Sequence, residues 1–213
     1  MKRLGPSAFL FLLLVISAFA ADPKIESIGP FQGKAPDSVK AALDDTGYRV
    51  FGEDGKVLAE IWPAKSAVTA KSDNASAIYP QFVSGAFYGV IALPNGTGDF
   101  RGQKIPAGTY TMRYELLPGD GNHMGVAPNP DFFLLVPIDA DTDATAKIPY
   151  AGLVRLSAKA SGTAHPAPFA LASPESQAVV AKQDGSHTIA YFPIKTTSNP
   201  VNIGLILSGS SEE

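Results

Sequence analysis

Between Gly108 and Leu117 the chain alternates without a break: Tyr110, Met112, Tyr114 and Leu116 fall on one side, Thr109, Thr111, Arg113 and Glu115 on the other. A period of two over that length specifies a half-buried β-strand, because successive side chains of extended backbone point to opposite faces. Pro106-Ala107-Gly108 before it and Pro118-Gly119-Asp120-Gly121-Asn122 after it mark its ends, since proline fixes φ and glycine reaches positive φ. Phe132 to Val136 is a short apolar run closed by Pro137, and its length and phenylalanine content predict a strand covered on both faces. Gly119 to Asp131, between the two strands, is too long and too rich in glycine and proline for a tight hairpin, so its own contacts or a ligand must hold it.

The rest of the chain supplies more strands and little helix. Tyr48–Phe51 and Lys56–Trp62 flank the hairpin turn Gly52-Glu53-Asp54-Gly55. Phe82 to Leu93 predicts a buried strand with a bulge or a close backbone approach at Gly85 or Gly89. Phe169–Ala172, Gln177–Lys182, Thr188–Ile194 and Val201–Leu207 complete the set, with a turn at Gln183-Asp184-Gly185-Ser186. A short helix is expected over Asp37 to Asp45. A longer one is expected over Tyr150 to Ala160, with Leu153, Leu156 and Ala160 on one face and Gly162 as its stop. Trp62, the only tryptophan, reads as an anchor of the core or its edge. Many short strands separated by turn signals predict a mainly β, antiparallel sandwich, immunoglobulin-like or transthyretin-like, with one covering helix. Its core should hold Tyr110, Met112, Tyr114, Leu116, Phe133 and Leu135.

Lys2 and Arg3, the apolar run Ala8 to Ala20 and the Ala18-Phe19-Ala20 motif read as a secretory signal, residues 1–20. That run is too short for a membrane span, and no second candidate follows. The expectation is therefore an exported protein, periplasmic or secreted, with a single domain over 21–207 and a fraying tail at 208–213. There is no cysteine, so neither a disulfide nor a lipidated thiol contributes. Removing the signal takes away two basic and no acidic residues from a formal net charge of −3, and a weakly acidic surface does not favour nucleic acid. Asn74-Ala75-Ser76 and Asn95-Gly96-Thr97 match glycosylation sequons that a bacterial protein would leave unused.

The chemistry is sparse. Of the histidines, His123 lies beside Met124 in the glycine-rich loop, His165 follows the long helix and His187 opens a strand. His123 and His165 either hydrogen-bond backbone in ordered loops or, with Met124, offer imidazole and thioether to copper or zinc. Asp120 and Asp131 flank the central loop and are the carboxylates a hydrolase would use. Asp139-Ala140-Asp141-Thr142-Asp143 starts like a calcium loop, but Ala144 stands where glycine is needed and Tyr150 where glutamate is, leaving a solvated acidic turn. No nucleophile elbow, zinc helix or phosphate loop occurs, and Ser161 near His165 is not by itself a triad. Asp99 and Arg101 read as a solvated pair.

At RVFGEDGKVLAEIW, DFRGQKIPAGTYTMRYELLPGDGNHMG, DFFLLVPIDAD and SGTAHP the chain resembles a group of exported proteins of unknown function, chiefly from acidobacteria-like bacteria. That resemblance covers most of the mature chain and implies no activity. IPAGTY also resembles the start of a strand in transthyretin-like and carboxypeptidase-regulatory-like sandwiches, which implies a fold only. The functional expectation is a non-catalytic binding or accessory module for a small ligand or a protein partner, the alternatives being a copper or zinc protein or a hydrolase. A ligand site is expected where the Gly119 to Asp131 loop meets the Ser161 to Pro168 loop, with Asp120, Asp131, His123 and His165 as its contacts. Pro166 holds His165 in extended backbone there.

Overall fold

The computed structural model describes residues 21–71, 75–118, 127–176 and 179–208. Its elements in chain order are β1 (Lys24–Ile28), α1 (Asp37–Ala42), β2 (Gly47–Phe51), β3 (Val57–Pro63), β4 (Phe87–Leu93), β5 (Thr97–Gly98) and β6 (Lys104–Ile105). There follow β7 (Gly108–Leu116), β8 (Asp131–Pro137), α2 (Tyr150–Ser161), β9 (Pro168–Ala172), β10 (Val180–Asp184), β11 (His187–Ile194) and β12 (Val201–Ser208). Ten strands join in one antiparallel sheet, ordered β1-β2-β3-β4-β7-β8-β9-β12-β11-β10, and β5 pairs with β6 alone. Two stacked sheets were expected; the molecule instead has one large sheet, nearly barrel-shaped, whose edge strands β1 and β10 approach each other without a ladder between them.

Alternation along the strands sorts the core. Tyr110, Met112 and Tyr114 of β7, Phe133 and Leu135 of β8, and Phe169 and Leu171 of β9 pack inside with Ala190, Phe192 and Ile194 of β11 and Leu205 of β12. The rings of Tyr48 on β2 and Phe192 on β11 meet at 5.6 Å, so the strands next to the two edges touch through their inward side chains. Each large apolar side chain buried this way contributes about 1.5–3 kcal/mol, which suits a chain without disulfides. Leu116 lies half-buried at the end of β7 and still packs against this core.

The outer surface of the sheet is also largely covered, which the polar half of the β7 pattern did not suggest. Phe132, Leu134 and Val136 face outward from β8 and pack under Leu153 of α2. That helix ends as expected, with Gly162 at φ 67° in the left-handed conformation donating its N–H to Ala158. Thr111, Arg113 and Glu115 were expected to face solvent and are buried instead. Asp141 accepts two hydrogen bonds from Arg113, from Nε and from Nη2, each at 2.7 Å. The carbonyls of Gly85, Ala146 and Asp143 take the remaining guanidinium donors, so all five are satisfied. Thr111 also donates to Asp141. A solvated acidic turn was expected at residues 139–143; Asp141 is instead a buried counter-ion that fixes the segment before α2 over β7.

Phe82 to Leu93 divides in two. Only Phe87–Leu93 is strand, with a bulge between Phe87 and Gly89. A Cβ at Gly89 would lie 2.5 Å from the Trp62 carbonyl, and one at Gly85 (φ 74°) would lie 2.1 Å from the Ile148 carbonyl. Both glycines mark the close approaches expected of them. Trp62 is buried, donates its indole N–H to Gly29 and meets Phe31 edge-on at 4.9 Å.

Candidate functional site

Where α2 stops covering β8, the outer wall of the sheet forms the floor of a groove of about 610 Å³. Phe132, Leu134, Pro168 and Ala170 supply the floor, Tyr150 and Val154 of α2 one side, the 99–103 loop the other, and His165-Pro166 one end. That volume falls within the range of small-molecule sites.

The lips are held by local hydrogen bonds readable in their residue types. Asp99 accepts the backbone N–H groups of Arg101 and Gln103 at 2.9 Å each, which folds 99–103 into a tight turn with Gly102 at φ 81°. Burial pushes the Asp99 carboxyl above its ordinary range, and those N–H groups together with the nearby Arg101 charge pull it part of the way back. Asp99 is therefore a buried turn-former, not half of a solvated pair. Gln103 donates its side-chain amide to the Pro166 carbonyl at 2.8 Å, which ties the turn to the loop after α2. In that loop the Ser161 hydroxyl donates to the His165 carbonyl, and the His165 N–H donates to the Thr163 hydroxyl. Ser161 thus secures backbone and does not address the His165 imidazole. The ring of His165 is exposed and bonds to nothing among the described residues, and the same holds for the guanidinium of Arg101.

A second groove, about 740 Å³, continues along the sheet past Phe100 and Ala127, which line both. Phe100 stacks on His187, with ring centroids 4.7 Å apart and planes 9° apart, and Ile189, Tyr191 and Ile206 form the wall beyond.

Parts of the two loops named from the sequence border this groove. Leu117 and Pro118, just before the central loop, and Ala127 within it line the same groove as His165, Pro166 and Pro168. Asp120, His123 and Met124 lie outside the described residues, so the proposed copper or zinc set keeps only His165 within them. Among the described residues no group of three or more His, Asp or Glu side chains is placed to hold a metal ion. Asp131, expected beside a ligand, points inward and is fully buried. It accepts the N–H groups of Ile78 and Tyr79 at 2.9 Å and the hydroxyl of Tyr114 at 2.6 Å, pinning the segment before β4 into the barrel. Burial, then the bond to Asp131, drives the Tyr114 hydroxyl well above its ordinary pKa.

Sequence reasoning missed Phe100, Tyr150 and Val154 as lining residues and misjudged Asp99, while Arg101 is exposed as expected. The usable signal was the Asp99-x-Arg101-Gly102-Gln103 turn, which presents its second and third residues outward. No family model, curated protein or solved structure matches the chain. No helix among the described residues is long and apolar enough to cross a membrane.

Proposed function

We propose that the chain is an exported, non-catalytic binding module that holds a small, mostly apolar ligand in the groove between α2, the 99–103 turn and the outer faces of β8 and β9. One observation carries this reading: the groove joins an apolar floor to two exposed polar groups, Arg101 and His165, whose side chains have no hydrogen-bond partner among the described residues. Sites of this kind combine apolar area for affinity with a few placed polar groups for orientation. Turns braced by Asp99, Gln103 and Ser161 support it further, because lips ordered beforehand lose less entropy on binding. The signal-like residues 1–20 support export. Against the hydrolase alternative, Asp131 presents no surface to a substrate.

The test is titration with anilinonaphthalene sulfonate, a fluorescent probe for apolar sites, against protein purified after export. Binding near one-to-one that is lost in Val154→Trp, which fills the groove from the half-buried side of α2, is the expected result. Binding unaffected by that substitution contradicts the assignment. Turnover of a hydrolytic substrate abolished by Asp120→Asn would overturn the non-catalytic reading. Stoichiometric heat with copper or zinc that vanishes in His123→Ala and in His165→Ala would favour the metal alternative.

A further inference from the structure

Resting on that reading of the groove, we infer that its ligand is an amphipathic monocarboxylic acid, with its apolar body on Phe132, Leu134 and Ala170 and its carboxylate facing Arg101 and His165. Arg113 and Arg101 differ sharply in how their charges are used. Arg113 has every donor occupied and is 0% exposed, whereas Arg101 is exposed and its guanidinium has no hydrogen-bond partner among the described residues. A planar fork of N–H donors matches a carboxylate in two parallel bonds, and such charge-assisted bonds are stronger than neutral ones.

Position supports the assignment. Arg101 sits two residues before Gln103, His165 one residue before Pro166, and the 2.8 Å bond from Gln103 to the Pro166 carbonyl ties their loops together at the groove. Two nitrogen-bearing side chains thereby sit on joined loops that border a trough with an apolar floor. A head group bound there leaves its tail over Leu134, Pro168 and Ala170.

Asp99 decides between anions. Its carboxylate lines the groove and is close enough to Arg101 to feel its charge, so a doubly charged phosphate ester meets repulsion that a single carboxylate meets only in part. A neutral alcohol would fill the trough and leave the fork of Arg101 unused.

Calorimetry with dodecanoate, dodecanol and dodecyl phosphate, each below its aggregation limit, on protein purified after export tests the inference. Dodecanoate should bind one-to-one and about tenfold or more tighter than dodecanol, the scale of one charge-assisted hydrogen bond. Arg101→Gln should bring the acid close to the alcohol while leaving the alcohol unchanged, and His165→Gln should lessen the difference. Arg101 is an exposed turn residue, so the variant is expected to fold, which an unchanged melting temperature verifies. If acid and alcohol bind equally, or dodecyl phosphate binds tightest, the carboxylate assignment fails while the groove stands. If none of the three binds, or Val154→Trp does not weaken them, the groove itself is wrong.

Discussion

Arg113 on β7 and Arg101 on the 99–103 turn have opposite fates. Arg113 is enclosed, doubly bonded to Asp141 and bonded to three backbone carbonyls drawn from residues 85, 143 and 146. Arg101 stands in solvent on a turn made by its neighbour Asp99, with no bond from its guanidinium among the described residues. A buried charge persists only when its hydrogen bonds are complete, so the first arginine is committed to the fold. The second costs the fold almost nothing to keep and remains available to a ligand. Asp131 and Asp99 repeat the lesson among carboxylates, since both are held by backbone N–H groups and both organise chain.

The largest effect should come from breaking the committed pair. Arg113→Met leaves the Asp141 carboxylate buried without its cation and should cost about 3–5 kcal/mol in urea unfolding. A loss below about 1 kcal/mol would mean that the segment over β7 is held by something else. Asp131→Asn comes next. The side-chain amide cannot accept on its nitrogen, so one of the N–H groups of Ile78 and Tyr79 or the Tyr114 hydroxyl loses its acceptor, a cost of about 1–3 kcal/mol readable in the same experiment.

Much of this frame was legible in the sequence. The β7 alternation, the hairpin turns, the stop of α2 at Gly162 and the two glycine close approaches depend on neighbours a few residues away, and local pattern records them. The burial of Arg113 was not legible, because its partners lie 28 to 33 residues along the chain and its strand reads simply as polar on that side. The wrapped sheet was missed for a related reason: strand patterns say which faces are covered, not whether the edges curl towards each other. The site was half legible. The loop after α2 was marked by His165 and Pro166, but the floor at Phe132 and Leu134 is outward-facing apolar surface buried beneath its neighbours, and where a helix ends relative to a sheet is set by tertiary packing.

At the exposed positions the effects on stability should be small. Arg101→Gln and His165→Gln should stay within about 0.5 kcal/mol of the parent, as exposed positions do. Asp99→Asn gives the finest contrast, through pH. The Asp99 pKa is raised above 3.8 in the folded state, so the ionised carboxylate opposes folding above that raised value and ceases to do so as pH falls through it towards 3.8. An asparagine side chain in its place would keep an oxygen for the turn and has no such dependence. The stability of the parent relative to the Asp99→Asn variant should therefore improve as pH is lowered from about 7 to about 3, across the raised carboxyl range. A difference that stays flat would show that burial does not govern this group.

The central claim is that ligand binds on the outer wall of the sheet, beside the unused arginine, and not inside the barrel. Backbone amide chemical shifts, followed by NMR during titration with dodecanoate, test it most directly. The account predicts changes concentrated at Arg101, Gln103, Leu134, Val154 and Ala170, with Met112, Phe192 and Leu205 of the interior unmoved. Shifts centred on those interior residues, or no shifts at saturating ligand, would contradict it.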